Sequence, residues 1–451
     1  MLSRQTPARG LEYFEMIIRP AKCLRGEIAL PGDKSITHRA AMLAALAEGE
    51  TRIRNYASSA DCRSTLDCLR QLGVEIDQTG NEVVVCGVGR IGLKAATETL
   101  DCGNSGTTMR LMAGVLAGQP FDTVLTGDDS LRRRPMRRVI EPLERMGAGI
   151  ESNDGRAPLR IRGSATLRPI EYELPVASAQ IKSCVLLAGL NADGETIVVE
   201  PVATRDHTER MLRVFGADLQ ELLPADTAAG VRLTIQGPGH LRSPGAFVVP
   251  SDVSAAAFFI VAAGCLDRSE IRMPGVGVNP TRSGIIETAR LLGVEVHTTD
   301  EQEVSGEPSA TVSVRGPLRQ QTRNEIRGGL VANLIDELPI LAVLGTQLEF
   351  GLEVHDAAEL RVKETDRISA VVENLRRMGA AVEEFDDGFR VERSRLNGAR
   401  VDSFGDHRIA MAFAVAGILA EEGETEIDGA DCAAVSFPNF FEVLENVVVY
   451  E

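Results

Sequence analysis

The sequence contains no tryptophan, and aromatic residues make up only 4% of its 451 residues. Its core must therefore be built mainly from Ala, Val, Leu and Ile, which suits closely packed helices with small side chains. Hydrophobic residues amount to 44%, a normal share that excludes a mostly disordered chain. The length exceeds what one hydrophobic core usually serves, so we expect at least two domains.

An excess of positive charge is also missing, because the formal net charge is −17. This argues against nucleic acid as a partner, since a phosphate backbone is bound by positive charge. A small anionic ligand stays possible, because a local arginine cluster can dominate a cleft. Such a cluster occurs in "LRRRPMRRVIEPL", residues 131–143, where five arginines fall in seven residues without interleaved aromatics. Most of these arginines are expected on the surface.

Metal, secretion and membrane signals are absent from the sequence. The eight cysteines form no C-x-x-C pair and no Cys/His zinc pattern, so we expect no metal and reduced thiols in a cytoplasmic protein. No apolar run is long enough to span a bilayer, and no secretory signal is visible, so no membrane partner is expected. Gly87, Gly89 and Gly92 have dinucleotide-site spacing, but no long helix follows. A turn is the favoured interpretation, and no cofactor is expected.

One pattern recurs about every 70 to 85 residues: an amphipathic helix that ends in glycine, followed by a strand. A glycine after a helix favours a left-handed C-terminal residue. The repeat predicts about six α/β modules, with a weaker glycine-free copy in "FFEVLENVVV" at the end of the chain. The five glycines are Gly73, Gly147, Gly216, Gly293 and Gly379.

A second helix class alternates with the first and is apolar almost all round. A helix without a polar face is buried on every side, so these helices are predicted to lie inside the modules. The six segments are "HRAAMLAALAEG", "TTMRLMAGVLAG", "AQIKSCVLLAGL", "SAAAFFIVAAGCL", "ELPILAVLGTQ" and "HRIAMAFAVAGILA".

The starts of these buried helices carry cations or small hydroxyls. A helix N-terminus attracts anions through its N–H groups and its dipole, so these residues are candidates for holding an anion. Capping is the alternative for Ser35 and Ser178. The candidates at these starts are Lys34, Ser35, Arg39, Asn104, Gly106, Thr107, Ser178 and Gln180. Arg205 is a further candidate just before another helix, where Asp206 and Thr208 are ordinary cap residues.

Acidic residues join the cations on the second half of the chain. Asp336 and Glu337 directly precede an apolar helix, where an acid can cap the helix or move a proton. The stretch "RVKETDR", residues 361–367, packs three cations and three acids together. If it is helical, Lys363 and Arg367 share one face. His407 and Arg408 head another apolar helix, and Arg408 is the better candidate.

In their order, these motifs resemble 5-enolpyruvylshikimate-3-phosphate (EPSP) synthases of the enolpyruvyl transferases, and more closely the bacterial class II form. The resemblance runs from about Pro20 to the C-terminus. It is carried by "PGDKSITHRA", "GNSGTTMRL", "RRRPM", "SAQIKS", "TRDHTE", "DELP", "RVKETDR" and "GDHRIAMA".

The resemblance implies a two-domain inside-out α/β barrel, the enolpyruvyl transferase fold. Each domain would contain three βαβαββ modules with buried parallel helices. Residues 1–31 and 251–451 would form a discontinuous domain, residues 32–250 an inserted domain, and the active site would lie in the cleft between them. The enzyme would be a cytoplasmic monomer without cofactor or metal. It would transfer the enolpyruvyl group of phosphoenolpyruvate to the 5-hydroxyl of shikimate-3-phosphate.

The resemblance also implies the binding residues. Those for shikimate-3-phosphate are Lys34, Ser35, Arg39, Ser178, Ala179, Gln180, Arg205, Asp336 and Lys363. Those for phosphoenolpyruvate are Lys34, Asn104, Gly106, Thr107, Arg134, Gln180, Arg367 and Arg408. A cation found in some relatives near Val435 has no counterpart in "CAAVSFPNFF".

The expected catalytic residues are Asp336, Glu364 and Lys34. Glu364, between two bound anions, would have a raised proton affinity and protonate the methylene carbon. Asp336 would take the proton of the attacking hydroxyl, and Lys34 would stabilise charge. Two alternatives stay open: a UDP-N-acetylglucosamine enolpyruvyl transferase, and an anion-binding scaffold without turnover.

Overall fold

The computed structural model describes residues 2–6, 13–222, 230–319 and 324–450. It divides into two compact units. The split unit consists of Met1–Pro31, Ser251–Gln302 and Pro308–Glu451, and the inserted unit of Gly32–Pro250 and Glu303–Glu307. Placing all of residues 251–451 in one domain therefore misses the turn at Glu303–Glu307. That turn bonds within the inserted unit, where the Val248 N–H donates to Ser305 Oγ at 2.8 Å and His207 Nδ1 lies 2.8 Å from Glu307 Oε1.

Helices of the two predicted classes alternate in both units. All six apolar segments are buried helices, which confirms that prediction. They are α1 (Lys34–Leu46), α3 (Gly106–Ala117) and α6 (Ala179–Gly189) in the inserted unit, and α8 (Val253–Cys265), α11 (Leu338–Gly345) and α13 (His407–Ile418) in the split unit. The remaining helices are α2 (Ala60–Gln71), α4 (Asp129–Arg133), α5 (Arg137–Arg145), α7 (His207–Val214), α9 (Gly284–Leu291), α10 (Gly329–Leu334), α12 (Arg367–Arg377) and α14 (Phe440–Val447).

The predicted glycine stop recurs at the end of five amphipathic helices. After α2, the Gly73 N–H donates to the Arg70 carbonyl at 3.0 Å and the Val74 N–H to the Leu69 carbonyl at 3.1 Å. This pair of bonds satisfies carbonyls at the helix end, and it requires a left-handed residue. The prediction is confirmed by positive φ angles, which are 84°, 103°, 82°, 87° and 89° at Gly73, Gly147, Gly216, Gly293 and Gly379.

Strands form the outer elements of each module. Their bounds in chain order are β1 (Leu2–Thr6), β2 (Tyr13–Ile18), β3 (Cys23–Glu27), β4 (Glu48–Arg54), β5 (Glu75–Thr79), β6 (Glu82–Val88), β7 (Leu100–Asp101), β8 (Asp122–Thr126), β9 (Gly149–Asn153), β10 (Arg156–Arg162), β11 (Glu171–Glu173), β12 (Glu195–Glu200), β13 (Leu219–Leu222), β14 (Val231–Gln236), β15 (Ala246–Val248), β16 (Glu270–Gly277), β17 (Glu295–Val304), β18 (Glu307–Arg315), β19 (Glu325–Ile326), β20 (Leu352–Val354), β21 (Val382–Phe385), β22 (Gly388–Val391), β23 (Arg400–Asp402), β24 (Thr425–Asp428) and β25 (Val448–Val449).

The described strands of the inserted unit form three sheets, ordered β15-β4-β6-β5, β7-β8-β10-β9 and β11-β12-β14-β13. In each sheet the first pair is parallel and the others are antiparallel. A buried helix connects the parallel strands directly in β7-α3-β8 and β11-α6-β12. In the β11/β12 register, buried Tyr172 pairs with buried Val198. Each sheet therefore belongs to one α/β module.

The split unit repeats this plan with sheets β19-β20-β22-β21, β17-β18-β16-β3-β25 and β1-β2-β24-β23. Its parallel pairs are β19/β20, β3/β16 and β23/β24. The N-terminal hairpin β1/β2 completes the last sheet by pairing β2 with β24, so the first and last parts of the chain share one module.

The core of each unit lies around its three apolar helices. In the inserted unit α3 packs on α1 and α6, and in the split unit α8, α11 and α13 pack on one another. Gly114 explains the close α3–α6 approach, because a Cβ there would lie 2.3 Å from the Cys184 carbonyl oxygen. Small residues thus let these helix backbones meet, as the low aromatic content predicts.

The dinucleotide-like glycines lie in a different context from a cofactor loop. Gly87 is in β6, and Gly89 and Gly92 flank the turn that follows it. The next helix begins only at Gly106. The interpretation as a turn between modules is therefore confirmed.

Candidate functional site

The first candidate residues lie at the start of α1. Lys34 is the first helical residue, and its Nζ donates to Asp61 Oδ2 on α2 at 2.9 Å. The helix is capped by Asp33, whose Oδ1 accepts from the Ile36 N–H at 2.9 Å. The capping interpretation of Ser35 is therefore wrong, because the Asp33 carboxylate already occupies that N–H. Ser35 is half-buried one residue beyond Lys34.

The Arg39 side chain is buried among helices of the inserted unit and does not face outward. Its Nε donates to Thr208 Oγ1 at 2.6 Å, its Nη1 to the Ser35 carbonyl at 2.8 Å and its Nη2 to Ser183 Oγ at 2.8 Å. Burial, with a smaller contribution from nearby Arg205, lowers the pKa of Arg39 to about 10, although Glu209 opposes the shift. In this structure Arg39 fixes the first turn of α1 against α6 and α7.

The glycine-rich loop before α3 holds a second cluster. Arg134, the residue after α4, donates from Nη2 to Asn104 Oδ1 at 2.7 Å, and Asn104 donates to Asp128 Oδ2 at 2.7 Å. Gly106 lies beside two guanidinium groups, because a Cβ there would be 2.8 Å from Arg110 Nη1 and 3.4 Å from Arg134 Nη1. Only glycine leaves this approach open. Ser105, which directly precedes it, caps α3.

The start of α6 connects to that cluster. Ser178 caps α6 by accepting from the Ile181 N–H at 3.5 Å, and Ala179 is the first helical residue. Gln180 accepts from Arg110 Nη1 at 2.6 Å and donates to Thr107 Oγ1 at 3.0 Å. The predicted residues Gln180, Thr107, Gly106, Asn104 and Arg134 are thus brought together in the inserted unit.

Behind α6, a buried lysine supports the start of α7. Lys182 Nζ lies 2.7 Å from both Glu200 Oε2 and Glu209 Oε1, with a fully buried side chain. Burial alone would lower the pKa of Lys182, but Glu209 and Glu200 raise it above its ordinary value. Arg205, half-buried, immediately precedes α7. The cation keeps α6, β12 and α7 in place, which fixes the position of Arg205.

The split unit holds a second group of predicted residues around Arg367. Its Nε donates to Asp406 Oδ2 at 2.7 Å and its Nη2 to Glu364 Oε2 at 2.6 Å, while Nη1 lies 3.6 Å from Asp336 Oδ1. The side chain is 2% exposed. Burial alone would lower the pKa of Arg367, but Asp406 and Glu364 raise it, so the guanidinium stays charged.

The stretch "RVKETDR" is not a helix. Ala358–Val362 form a 3₁₀ turn, residues 363–365 bend, and α12 begins only at Arg367 with Asp366 as its cap. The condition for Lys363 and Arg367 to share a helical face is therefore not met. Lys363 Nζ instead contacts Glu359 Oε1 at 3.3 Å. The Asp366 cap explains the difference, because it starts the helix after Lys363 and Glu364.

Arg408 lies in the first turn of α13 near both acids of the "DELP" motif. Its Nη1 donates to the Asp336 carbonyl at 2.9 Å, and its Nη2 lies 3.8 Å from Asp336 Oδ2. Glu337 does not use its carboxylate as a cap of α11. Its side chain is fully buried and accepts from Arg282 Nη1 at 3.0 Å. The capping alternative is therefore wrong for Glu337.

Several site residues were not predicted from the sequence, because their partners are distant in the chain. Asp61 and Asp406 hold Lys34 and Arg367, and Arg110 lies one helical turn after Thr107 in the same motif. Arg110 could have been predicted from its helical spacing to Thr107. The pairing of Lys34 with Asp61 could not, because no local sequence pattern indicates it. Val435, where a cation was expected to be missing, is half-buried at the end of a 3₁₀ turn, Ala430–Val435.

The described ranges contain neither a cluster of metal-binding side chains nor a helix of membrane-spanning length. Within them, no group of three or more His, Cys, Asp or Glu side chains could hold a metal ion. No helix of those ranges is long and apolar enough to cross a membrane.

Comparisons with known proteins agree over nearly the whole chain. Residues 18–444 match the family model described as EPSP synthase (3-phosphoshikimate 1-carboxyvinyltransferase). A 3-phosphoshikimate 1-carboxyvinyltransferase of Solibacter usitatus is 50% identical over 432 residues, which cover 95% of this chain and 99% of that protein. The protein of the same name from Pelotomaculum thermopropionicum is 51% identical over 441 residues, covering 97% and 99%.

Solved structures give the same result for the fold. A structure of EPSP synthase from Acinetobacter baumannii superposes with a TM-score of 0.85 at 40% identity. The match covers 97% of this chain and 99% of that one. The two units, each built from three one-sheet modules around apolar helices, thus have the enolpyruvyl transferase fold that the sequence motifs predicted.

Proposed function

The chain belongs to the EPSP synthase family, and we propose that two sets of its residues, one on each unit, carry out enolpyruvyl transfer. The reaction moves the enolpyruvyl group of phosphoenolpyruvate to the 5-hydroxyl of shikimate-3-phosphate and releases phosphate. It belongs to the shikimate pathway, which leads to aromatic amino acids. Both sets act on the same substrate pair, and the enzyme works as a cytoplasmic monomer.

The inserted unit binds anionic groups through its helix starts. Shikimate-3-phosphate is held by the side chains or backbone of Lys34, Ser35, Ser178, Ala179, Gln180 and Arg205. Arg39 supports this set through its bond to the Ser35 carbonyl. Arg134, Asn104, Gly106 and Thr107 hold phosphoenolpyruvate together with Gln180. Convergent N–H groups and guanidinium groups are the donors that phosphate and carboxylate oxygens prefer.

The split unit supplies the remaining charge and the proton-transfer groups. Arg367 and Arg408 bind the carboxylate and phosphate of phosphoenolpyruvate, because guanidinium forms paired hydrogen bonds with both. Asp336 and Lys363 bind the hydroxyls of shikimate-3-phosphate. Asp336 accepts the proton of the attacking 5-hydroxyl, and Glu364 donates a proton to the methylene carbon. Lys34 stabilises charge on the phosphoenolpyruvate side.

One observation carries this division of roles. Asp336 and Glu364 are two of the three acids that flank the buried cation Arg367, at 3.6 and 2.6 Å, and the third, Asp406, caps α13. An anion bound at Arg367 is therefore next to both a base and an acid. Addition gives a tetrahedral intermediate, and elimination then expels phosphate. Charge that develops on the substrate during the reaction is stabilised by groups of opposite charge that are already in place.

The acceptor decides between this function and its alternatives. Phosphate release from phosphoenolpyruvate is measured with shikimate-3-phosphate, with UDP-N-acetylglucosamine and with neither. We expect release with shikimate-3-phosphate alone. Release with the nucleotide sugar alone would assign the chain to the sister transferase, and release with neither would support a binding scaffold.

A further inference from the structure

Glu337 lies beside Arg408 but is hydrogen-bonded to a different arginine. Its Oε1 accepts from Arg282 Nη1 at 3.0 Å, whereas Arg408 Nη1 is 3.8 Å away, beyond hydrogen-bond distance. The side chains of Glu337 and Arg282 are 0% and 4% exposed. Arg282 belongs to the segment before α9 and is not among the proposed substrate-binding or catalytic residues.

Ser254, at the start of α8, joins the two arginines to this carboxylate. Its hydroxyl donates to Glu337 Oε1 and accepts from Arg282 Nη2. It also accepts from Arg408 Nη2 at 3.4 Å. A buried carboxylate therefore lies between two guanidinium groups, and one hydroxyl contacts all three.

This arrangement gives Arg408 a different environment from Arg367. Arg367 is hydrogen-bonded to two carboxylates, those of Asp406 and Glu364. Arg408 donates its hydrogen bonds to neutral oxygens, those of the Asp336 carbonyl and the Ser254 hydroxyl, and the carboxylates of Asp336 and Glu337 lie 3.8 Å away. An incoming anion at Arg408 thus has to displace only neutral acceptors, which a guanidinium holds less tightly than it holds carboxylates.

The charges explain why both partners are needed. Without the Glu337 carboxylate, the two buried guanidinium groups would repel each other in a poorly solvated site. Without Arg282, the Glu337 carboxylate would have Arg408 as its nearest cation and would form a direct ion pair with it. Either change would move Arg408 out of the position in which it can bind an anion.

We propose that Arg282 and Glu337 are a pair of positioning residues that keeps Arg408 in place and available for phosphoenolpyruvate. The inference rests on the proposed role of Arg408. It predicts that the two charges are coupled. Either charge without the other impairs the binding of phosphoenolpyruvate, and removing both charges impairs it less than removing one.

The test is a double-mutant cycle read out as the KM for phosphoenolpyruvate. Arg282→Met and Glu337→Gln remove one charge each, and the double variant removes both. Each single variant is expected to raise the KM for phosphoenolpyruvate about tenfold, with kcat and the KM for shikimate-3-phosphate changed less than about threefold. The double variant is expected within about threefold of the unaltered enzyme.

Arg282→Lys is the conservative control, since it keeps the charge beside Glu337. Its KM for phosphoenolpyruvate should stay within about threefold of the original value, because the proposed effect depends on the positive charge beside Glu337 and not on the guanidinium shape. A double variant whose KM rises about a hundredfold, as independent effects would require, overturns the proposal. An equal rise of both KM values in the single variants also overturns it. If a single variant does not fold, the double variant and Arg282→Lys decide by the same limits.

Arg408→Met separates this inference from the proposed function. An unchanged KM for phosphoenolpyruvate in that variant would contradict the role of Arg408 itself. A raised KM in Arg408→Met, combined with additive effects in the cycle, would contradict only the positioning pair.

Discussion

Lys34 and Asp61 form a partly buried ion pair: the lysine Nζ donates to the carboxylate at 2.9 Å, with side chains 20% and 10% exposed. The two residues lie on different helices, α1 and α2. A lysine side chain is long and flexible, so this charge-assisted bond fixes where its ammonium points. We therefore propose that Asp61 positions Lys34 for its proposed contacts with the substrates.

Asp61→Asn should lower kcat/KM about tenfold or more, because the amide cannot hold the ammonium with the same strength. Steady-state kinetics with both substrates measure the effect. Asp67→Asn is the matched control, since Asp67 lies on the same helix and is 52% exposed in its pair with Arg70. Equal kinetics of the two variants would contradict the role given to Asp61.

Arg39→Lys should reduce the free energy of unfolding by about 3 kcal/mol. An ammonium cannot replace the three separate donor groups that reach Thr208, Ser183 and the Ser35 carbonyl. Denaturant titration measures this loss. Arg213→Lys, on an arginine that is 41% exposed, should change stability by less than about 0.5 kcal/mol. If Arg39→Lys loses no more unfolding free energy than Arg213→Lys, the role of Arg39 in joining α1 to α6 and α7 is refuted.

The buried imidazole of His38 makes stability depend on pH. Burial, with Lys34 and Arg39 nearby, holds the pKa of His38 well below its ordinary value of 6.5. The folded state therefore keeps His38 neutral, while the unfolded chain takes up a proton below about pH 6.5. Stability from this group is present above that pH and is lost as the pH falls, by at most about 1.4 kcal/mol per pH unit.

Replacing His38 by Asn should remove that component of the slope between about pH 6.5 and pH 5. Unfolding titrations of this variant and of the unaltered protein at several pH values measure the two slopes. The same slope in the His38 variant would mean that His38 does not govern this dependence.

Glu364→Gln should lower kcat about a hundredfold while the KM for phosphoenolpyruvate changes little, because the amide keeps an acceptor for Arg367 but has no acidic proton. Rapid-quench or steady-state kinetics separate the two effects. Glu373→Gln is the control, since Glu373 is 49% exposed, pairs with Arg377 on the same helix and has no proposed proton to give. Parallel losses of turnover and binding would count against Glu364 as the acid.

Local patterns in the sequence predicted the helices well. Apolar residues all round a segment require burial, and the glycine after each amphipathic helix requires a left-handed residue. Both constraints act within about ten residues, so α1 and the Gly73 stop could be predicted without tertiary information. The turn at Glu303–Glu307 could not, because its place depends on bonds to Val248 and His207, far away in the chain.

The candidate site was predictable as a set of cations but not as a set of pairs. Lys34 and Arg408 were identified as candidates because they lie at the starts of apolar helices, and Arg367 because it belongs to the charge-dense stretch "RVKETDR". Their counterions Asp61 and Asp406 could not be assigned, since sequence gives no distance between remote side chains. The helical interpretation of "RVKETDR" failed because the capping strength of Asp366 outweighed the i, i+4 charge spacing.

The most direct test of the account is to run the reaction in D2O and determine the product by mass spectrometry and NMR. Addition followed by elimination protonates the methylene carbon and later removes a proton from it. The account therefore predicts a product of phosphoenolpyruvate and shikimate-3-phosphate that carries deuterium in its enolpyruvyl methylene group, with one phosphate released for each product. A product free of deuterium, or phosphate released without transfer to shikimate-3-phosphate, would contradict it.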